Sequence, residues 1–371
     1  MRPFNNIKQK NIINTITQMK SNLQCMSLES LIKDLCSISS PSGYESEISE
    51  FIKNMLSGIE NINVDIDTLG NVLIKKQGIT DKTIMLVAHC DEIGLTVKYI
   101  DENGYVYFTP IGSVDPSILK GQRVSITHND SVVNGVIGVQ PIHLKKTARN
   151  KNTDTDFCDL WIDVGVCQPN KIKELVTVGD PITFSPNYQD LGYGLFSSKS
   201  IDDRSGVAVL LSVLKTIMNE NTDYTIVFVL SVQEELGLRG ARVAGYHINP
   251  DICIAVDVNH ATDYPTIDKK KNGDIRLNNG CVIPIGANFN KGIQNELKTI
   301  AKQMNIAFQI ESVPSYSGTD IADIQLSRSG VKTGLISIPC RYMHSPIEVA
   351  SFHDIQSAID IISNYCLSKN E

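Results

Sequence analysis

Four apolar, β-branched runs in this 371-residue chain end directly on acidic or histidine side chains, and that recurrence constrains the fold more than any other feature. TIMLVA (83–88) runs into His89, Asp91 and Glu92, and IVFVLSV (226–232) into Glu234 and Glu235. ICIAV (252–256) runs into Asp257, and GLISIP (334–339) leads through a short loop to His344. Uninterrupted runs of this kind read as strands buried on both faces, which requires helices on either side of the sheet. Helical patterns supply them. In SGVAVLLSVLKTIMN (205–219), Val207, Leu210, Leu211, Leu214, Ile217 and Met218 share one face, the period of a packed helix. Further helices are predicted over 26–40, 44–56, near 291–304 and over 352–367. A hairpin is predicted at 63–78, turning near Gly70-Asn71, and a strand around 306–311. The alternation predicts the α/β class, a three-layer domain with a mainly parallel sheet.

From about 97 to 185 the texture changes. YVYFTPIG, RVSITH, VVNGVIGV, LWIDVGV and DPITFSP are short β-like runs separated by turns, with no helical pattern longer than a few residues. Short strands at close spacing predict a small barrel or sandwich. At roughly 150 residues per domain the length suits two units. The expected organisation is an extension at 1–25, an α/β domain built from 26–92 and 186–371, and a β insert at 93–185. HLKKTARNKNTDTDF (143–157) reads as a surface loop of that insert.

Composition narrows the function classes. A net charge of -7 argues against a nucleic-acid backbone as partner. No apolar run approaches the roughly 18–20 residues that span a bilayer, so no membrane partner is expected. Nine cysteines are scattered without a C-x-x-C pair. That suits neither a disulfide framework nor a thiolate zinc site, and reduced thiols in a cytoplasmic protein are the expectation. The first 28 residues contain Arg2, Lys8, Lys10 and Lys20 but no Asp or Glu. Organelle transit peptides share that basic texture, yet with a single Arg and two Ser the stretch reads better as an Asn/Lys/Ile-rich extension.

In open α/β sheets ligands bind beyond the carboxyl ends of the strands, so the residues at those ends converge on one rim. SIDDRSG (200–206) adds Asp202 and Asp203 immediately before the helix at 205–219. Histidines and carboxylates without cysteine form the ligand set of a hydrolytic Zn, Co or Mn centre. Two metals need a bridging carboxylate, terminal ligands on each ion and a general base. His89, Asp202, Glu235, Asp257 and His344 supply five ligands, and one glutamate of the 234–235 pair remains. Without cations, adjacent carboxylates at the end of a core strand repel one another and resist burial.

Each piece alone has a blander reading. Asp202-Asp203 suits a helix cap, and Glu234-Glu235 a solvated loop. His128, His143, His247, His260 and His353 read as surface or hydrogen-bonded residues. Cys90, beside His89, points to the opposite face of an extended strand and reads as a small core residue rather than a nucleophile.

Taken in order, AHCDEIGLTV, SIDDRSG, VQEELGLRGA, AVDVNHATDYP, SGTDIADIQLSRSGVKTGLISIP and CRYMHSPIE resemble the tetrahedral (TET) aminopeptidases, which include glutamyl and deblocking aminopeptidases. VDPSILKGQRV, GVIGVQPIHL and LWIDVGV of the insert match too, and the resemblance spans roughly residues 30–365. It implies a three-layer α/β zinc-peptidase domain with an inserted β-barrel used for dimerisation, and two divalent ions (Zn, Co or Mn) per chain. By motif, His89 and Asp257 would hold one ion, Glu235 and His344 the other, and Asp202 would bridge them. Glu234 would be the general base, and Asp91 would fix the His89 ring through its other nitrogen. A cis peptide after Asp202 is also implied. Glu92 and Asp320 would contribute near the substrate α-amine, and Arg239 or Arg341 would contact substrate carboxyl groups. The implied partner is a peptide hydrolysed from its N-terminus, and the implied assembly is a homo-oligomer of dimers, up to a tetrahedral dodecamer. The preferred N-terminal residue stays open.

Two other functions compete. Some relatives are labelled endoglucanases, and paired carboxylates suit glycoside hydrolysis. That reading gives His89 and His344 no role, and a chain with one Trp is poorly supplied for sugar stacking. A metal-binding assembly protein without catalysis would lack the base, whereas Glu234 is present.

Overall fold

The computed structural model describes residues 23–129, 131–144, 155–165 and 169–368. Residues 1–22 of the predicted extension and 145–154 of the predicted insert loop lie outside the described residues. Helix α1 (Leu28–Ser37) starts at Ser27, whose side chain accepts from the Ser30 N–H, the bond that an N-cap serine supplies. Helix α2 (Ser46–Met55) follows, then β1 (Ile62–Ile66) and β2 (Val72–Lys76) as the predicted hairpin, then β3 (Thr83–His89).

The chain next enters the insert. Strands β4 (Gly94–Ile100), β5 (Val106–Ile111), β6 (Arg123–His128), β7 (Ser131–Ile137), β8 (Ile162–Asp163) and β9 (Pro181–Phe184) close into a barrel in the order β4-β5-β8-β7-β6-β9. Alternate residues such as Leu95, Val97, Val124, Ile126 and Ile182 point inward and form a core of its own, as the two-residue period of a strand dictates. Closure removes the exposed edges that so small a sheet would otherwise present.

Strands β10 (Gln189–Gly192) and β11 (Leu195–Ser198) lead out of the insert into α3 (Ile201–Ile217). The second half then runs β12 (Thr225–Ser231), α4 (Arg239–Ile248), β13 (Ile252–His260), β14 (Cys281–Ile285), α5 (Lys291–Gln303), β15 (Phe308–Ser312), β16 (Lys332–Cys340), β17 (Glu348–Ser351) and α6 (Phe352–Ser368). The main sheet has the order β1-β2-β12-β3-β13-β16-β14-β15. Its centre, β12-β3-β13-β16, is parallel, and the joins β2–β12 and β14–β16 are antiparallel. Ile84, Leu86, Phe228 and Ile254 face one side, in the core that holds α1, α3 and α6. Met85, Val87, Val229 and Ala255 face the other, with Ala241 and Ala244 of α4. Sheet and two helical layers give the three-layer α/β fold.

Elements without a counterpart in the sequence reading include β14, α4, and the three strands of the small antiparallel sheet β10-β11-β17. Pro284 interrupts the β14 run, and the register of β14 with β16 is the single pair Val282↔Ser337, so the missing proline N–H costs no ladder bond there. Helix α3 also begins earlier than predicted. It takes in Ile201, but Asp202 and Asp203 have non-helical backbone angles, so the regular helix starts after them. The Asp202–Asp203 peptide is cis, as the resemblance implies.

Candidate metal centre

The parallel register brings the strand ends to one rim. Ser231 pairs with His89 between β12 and β3, and Asp257 with Ser337 between β13 and β16. Beyond that rim lies a cavity of about 440 Å³ lined by His89, Asp202, Glu234, Glu235, Asp257 and His344. Several residues around it hold left-handed backbone without being glycine: Ser200, Gln233, Leu238, Tyr342 and His344 all have φ between 57° and 61°. Such positions cost energy that the surrounding packing must offset, and they gather at functional sites.

Asp202 stands between the two histidines. Its Oδ1 is 3.0 Å from His89 Nε2 and its Oδ2 is 3.3 Å from His344 Nε2. Glu235 Oε1 lies 3.2 Å from His344 Nε2, and Asp257 Oδ1 lies 4.0 Å from His89 Nε2. Asp91 sits behind His89, with Oδ1 3.5 Å from its Nδ1. The Asp91 carboxylate also accepts the backbone N–H groups of Glu234 and Glu235, each at 3.1 Å. One aspartate thereby holds the turn that carries both glutamates and faces the ring of His89, whose Nδ1 makes no hydrogen bond among the described residues.

Donor atoms gather in two groups, each within 4.8 Å: His89 with Asp203 and Asp257, and Asp202 with Glu235 and His344. Asp203 is absent from the sequence-based ligand set. Its Oδ1 accepts the Gly206 N–H at 2.9 Å, capping the regular part of α3, while its buried Oδ2 has no hydrogen-bond partner. The helix-cap reading of the pair thus describes Asp203.

The electrostatics show the cost of this crowding. Burial pushes Glu234 up to about 10, with Asp257, Asp320 and Glu235 adding to the rise and His89 opposing it. Burial likewise raises Asp203 and Asp257 well above the carboxylate range. Burial works against a charged imidazole at His344, but bonds to Asp202 and Glu235 lift it to about 11. Closely set acids and histidines of this kind are what divalent cations stabilise, so the donor set and the orphaned Asp203 oxygen fit metal ions.

Glu348 belongs here too, although the sequence reading gave it no role. Its Oε1 accepts from His344 N at 2.9 Å and its Oε2 from Asp202 N at 3.1 Å, tying the loop after β16 to the start of α3.

Other expectations are corrected. Glu92 is only 2 % exposed and does not reach the cavity: Lys199 Nζ lies 2.7 Å from its Oε2, Arg204 lies near Oε1, and Ser40 N donates to it at 2.9 Å. A carboxylate so enclosed serves the fold, not a substrate amine. Arg341 makes a two-pronged contact with Asp263 at 2.6 and 2.7 Å, which occupies its guanidinium. Arg239 is exposed at the start of α4 and does not line the cavity. Asp320 is buried behind the cavity and accepts a hydrogen bond from Ser231. Of the histidines set aside, His128 bonds Asp180 at 3.0 Å, but His260 lies on the cavity wall. Cys90 is buried, as expected of a core residue.

The family model described as M42 glutamyl aminopeptidase matches residues 70–361. The chain belongs to that family. It is therefore a peptidase, a hydrolase of the metal-dependent aminopeptidase kind that the motifs resemble. A lysyl aminopeptidase of Pyrococcus furiosus is 35% identical over 333 residues, covering 89% of this chain and 94% of that protein. The structure of an aminopeptidase from the archaeon Desulfurococcus kamchatkensis superposes with a TM-score of 0.85 at 33% identity, over 92% of this chain and 95% of the other. A Pyrococcus horikoshii TET peptidase, which assembles into a tetrahedron or a large octahedral shell, has a TM-score of 0.83 at 27% identity, over 92% of this chain and all of the other.

Proposed function

We propose that this M42 peptidase removes N-terminal residues from peptides, using two divalent ions and Glu234 as general base. His89 and Asp257 would hold one ion, Glu235 and His344 the other, with Asp202 bridging, and Asp203 adjoins the first. Bound there, Zn, Co or Mn ions supply Lewis-acid polarisation of the scissile carbonyl and make water acidic near neutral pH. Supporting the bridge most directly, Asp202 turns one oxygen to each histidine, at 3.0 and 3.3 Å.

The chain's own groups carry the proton and the geometry. Glu234 accepts a proton from the attacking water as oxygen adds to the carbonyl carbon, then gives it to the amine nitrogen as the C–N bond breaks. Asp91 faces the ring of His89 and holds the backbone of Glu234 and Glu235, which keeps base and ligands in one frame. The small acidic cavity attracts a free α-ammonium and admits a chain end rather than a folded surface. Sugar stacking finds little support: Tyr316 is the aromatic residue of the cavity wall among those described, and Trp161 packs against Tyr105 in the barrel. The relative that builds a tetrahedron supports a similar homo-oligomer here, for which the barrel would be the dimer contact.

Metal-stripped protein assayed on aminoacyl p-nitroanilides with and without added Co²⁺ or Zn²⁺ tests the reading. Metal-dependent release supports it. Silence with two ions bound per chain overturns it.

A further inference from the structure

The floor of the cavity differs from its rim. Loops around Glu234 to Leu238, Ser317 to Thr319 and Met343 to His344 form the rim, while Pro284, Glu311 and Leu335 belong to strands of the sheet and form the floor. Glu311 is half-buried on β15, opposite Pro284 in register, and its Oε2 accepts from Asn259 Nδ2 at 2.5 Å. Asn259 follows Asp257 by two residues on β13, so one short stretch of strand carries a metal-ligand candidate and the group that orients Glu311.

Charge sets what can be seated there. Asp202, Glu234, Glu235 and Asp257 line the cavity, and two divalent ions would balance those four carboxylates. Glu311 is a fifth acid, and among the described residues no lysine or arginine lines the cavity. Lys271 lines a neighbouring cavity that shares Glu311 and His260, yet Glu311 makes no ion pair among the described residues. Burial pushes its carboxyl above the ordinary range, with Asn259 and His260 opposing. A half-buried carboxylate without a cation is a costly arrangement that a cationic ligand completes.

We infer that Glu311 is a specificity residue that selects peptides with a basic N-terminal residue, lysine or arginine, and that the cavity rejects an acidic one. This rests on the aminopeptidase reading above and deepens it. The terminal residue is the only part of a peptide that must pass the rim completely, so its side chain is the part that reaches the floor. An acidic side chain would meet Glu311 with no counter-charge, whereas an ammonium or guanidinium would pair with it.

The test uses metal-loaded enzyme on Lys-, Arg-, Leu- and Glu-p-nitroanilide, on the dipeptides Lys-Ala and Ala-Lys, and the variants Glu311→Gln and Glu311→Lys. The expected result is kcat/KM highest for Lys and Arg and lowest for Glu, with Lys-Ala cleaved faster than Ala-Lys. Removing one charged hydrogen-bond partner is worth roughly tenfold or more, so Glu311→Gln should cut the Lys-to-Leu ratio by about that factor. Glu311→Lys should raise the Glu-to-Lys ratio above one. Turnover that favours Leu or Glu, or a Lys-to-Leu ratio unmoved in Glu311→Gln, overturns the specificity while leaving the aminopeptidase reading intact. Silence on every substrate overturns both.

Discussion

Glu234 and Glu235 are chain neighbours with different surroundings. Glu235 reaches His344, whereas Glu234 is buried beside Asp257, Asp320 and Glu235, where bound cations would balance the acids and leave it free to accept a proton. Glu234→Gln should lower kcat on the order of 10²–10⁴-fold while elemental analysis finds the same metal content; joint loss of metal and activity would make Glu234 a ligand instead. Glu92 gives a prediction for stability. Its burial opposes ionisation, but Lys199 and Arg204 outweigh that and hold its carboxyl below 4.5. A depressed folded value means stabilisation is present above the ordinary carboxylate range and disappears as pH falls through the folded value. Glu92→Gln should therefore cost about 3–5 kcal/mol at pH 7, and urea titrations of both proteins should converge as pH is taken toward 3. At this scale the sequence displayed the acids and histidines at strand ends, because an apolar run that stops on a charge is visible in one dimension. It did not display Glu348 or the enclosure of Glu92, because those roles depend on backbone N–H groups and cations brought in from distant elements.

Helix α3 shows how an element shapes the site. Its regular turns start only after Asp203, and Gly206 stands one turn on, where an added Cβ would lie 2.2 Å from Asp203 Oδ2. Gly206→Ala should turn that carboxylate away, with fewer metal ions bound per chain on equilibrium dialysis and far-UV circular dichroism unchanged; full metal content would show that Asp203 is a cap alone. The long periodic elements, β3, β12, β13, β16, α3 and α6, were legible because each is buried along its length. Strand β14 was not, since five residues containing a proline carry too little pattern. Strands β10, β11 and β17 owe their existence to one another, with Leu195 pairing with Ser351 across the chain.

The molecule as a whole pairs a sheet domain with a barrel whose outer face is partly apolar. On β7, Val132 and Val136 are each 46 % exposed and alternate with inward residues. If the barrel is the dimer contact, Val132→Asp with Val136→Asp should lower the assembly mass in light scattering while the barrel core stays intact; an unchanged mass would place the contact elsewhere. The existence of the barrel was readable from turn spacing, but its closure was not, because a one-dimensional pattern does not say that β9 returns to β4. That return matters for how the chain finds its native state. His89 and Asp202 are 113 residues apart, with the barrel between them. Once Leu95 pairs with Ile182, the segment left to close shrinks to roughly a quarter, easing the loop entropy by about 1 kcal/mol. A barrel that closes first would thus act as a clasp, bringing the two halves of the centre together before either has met a substrate.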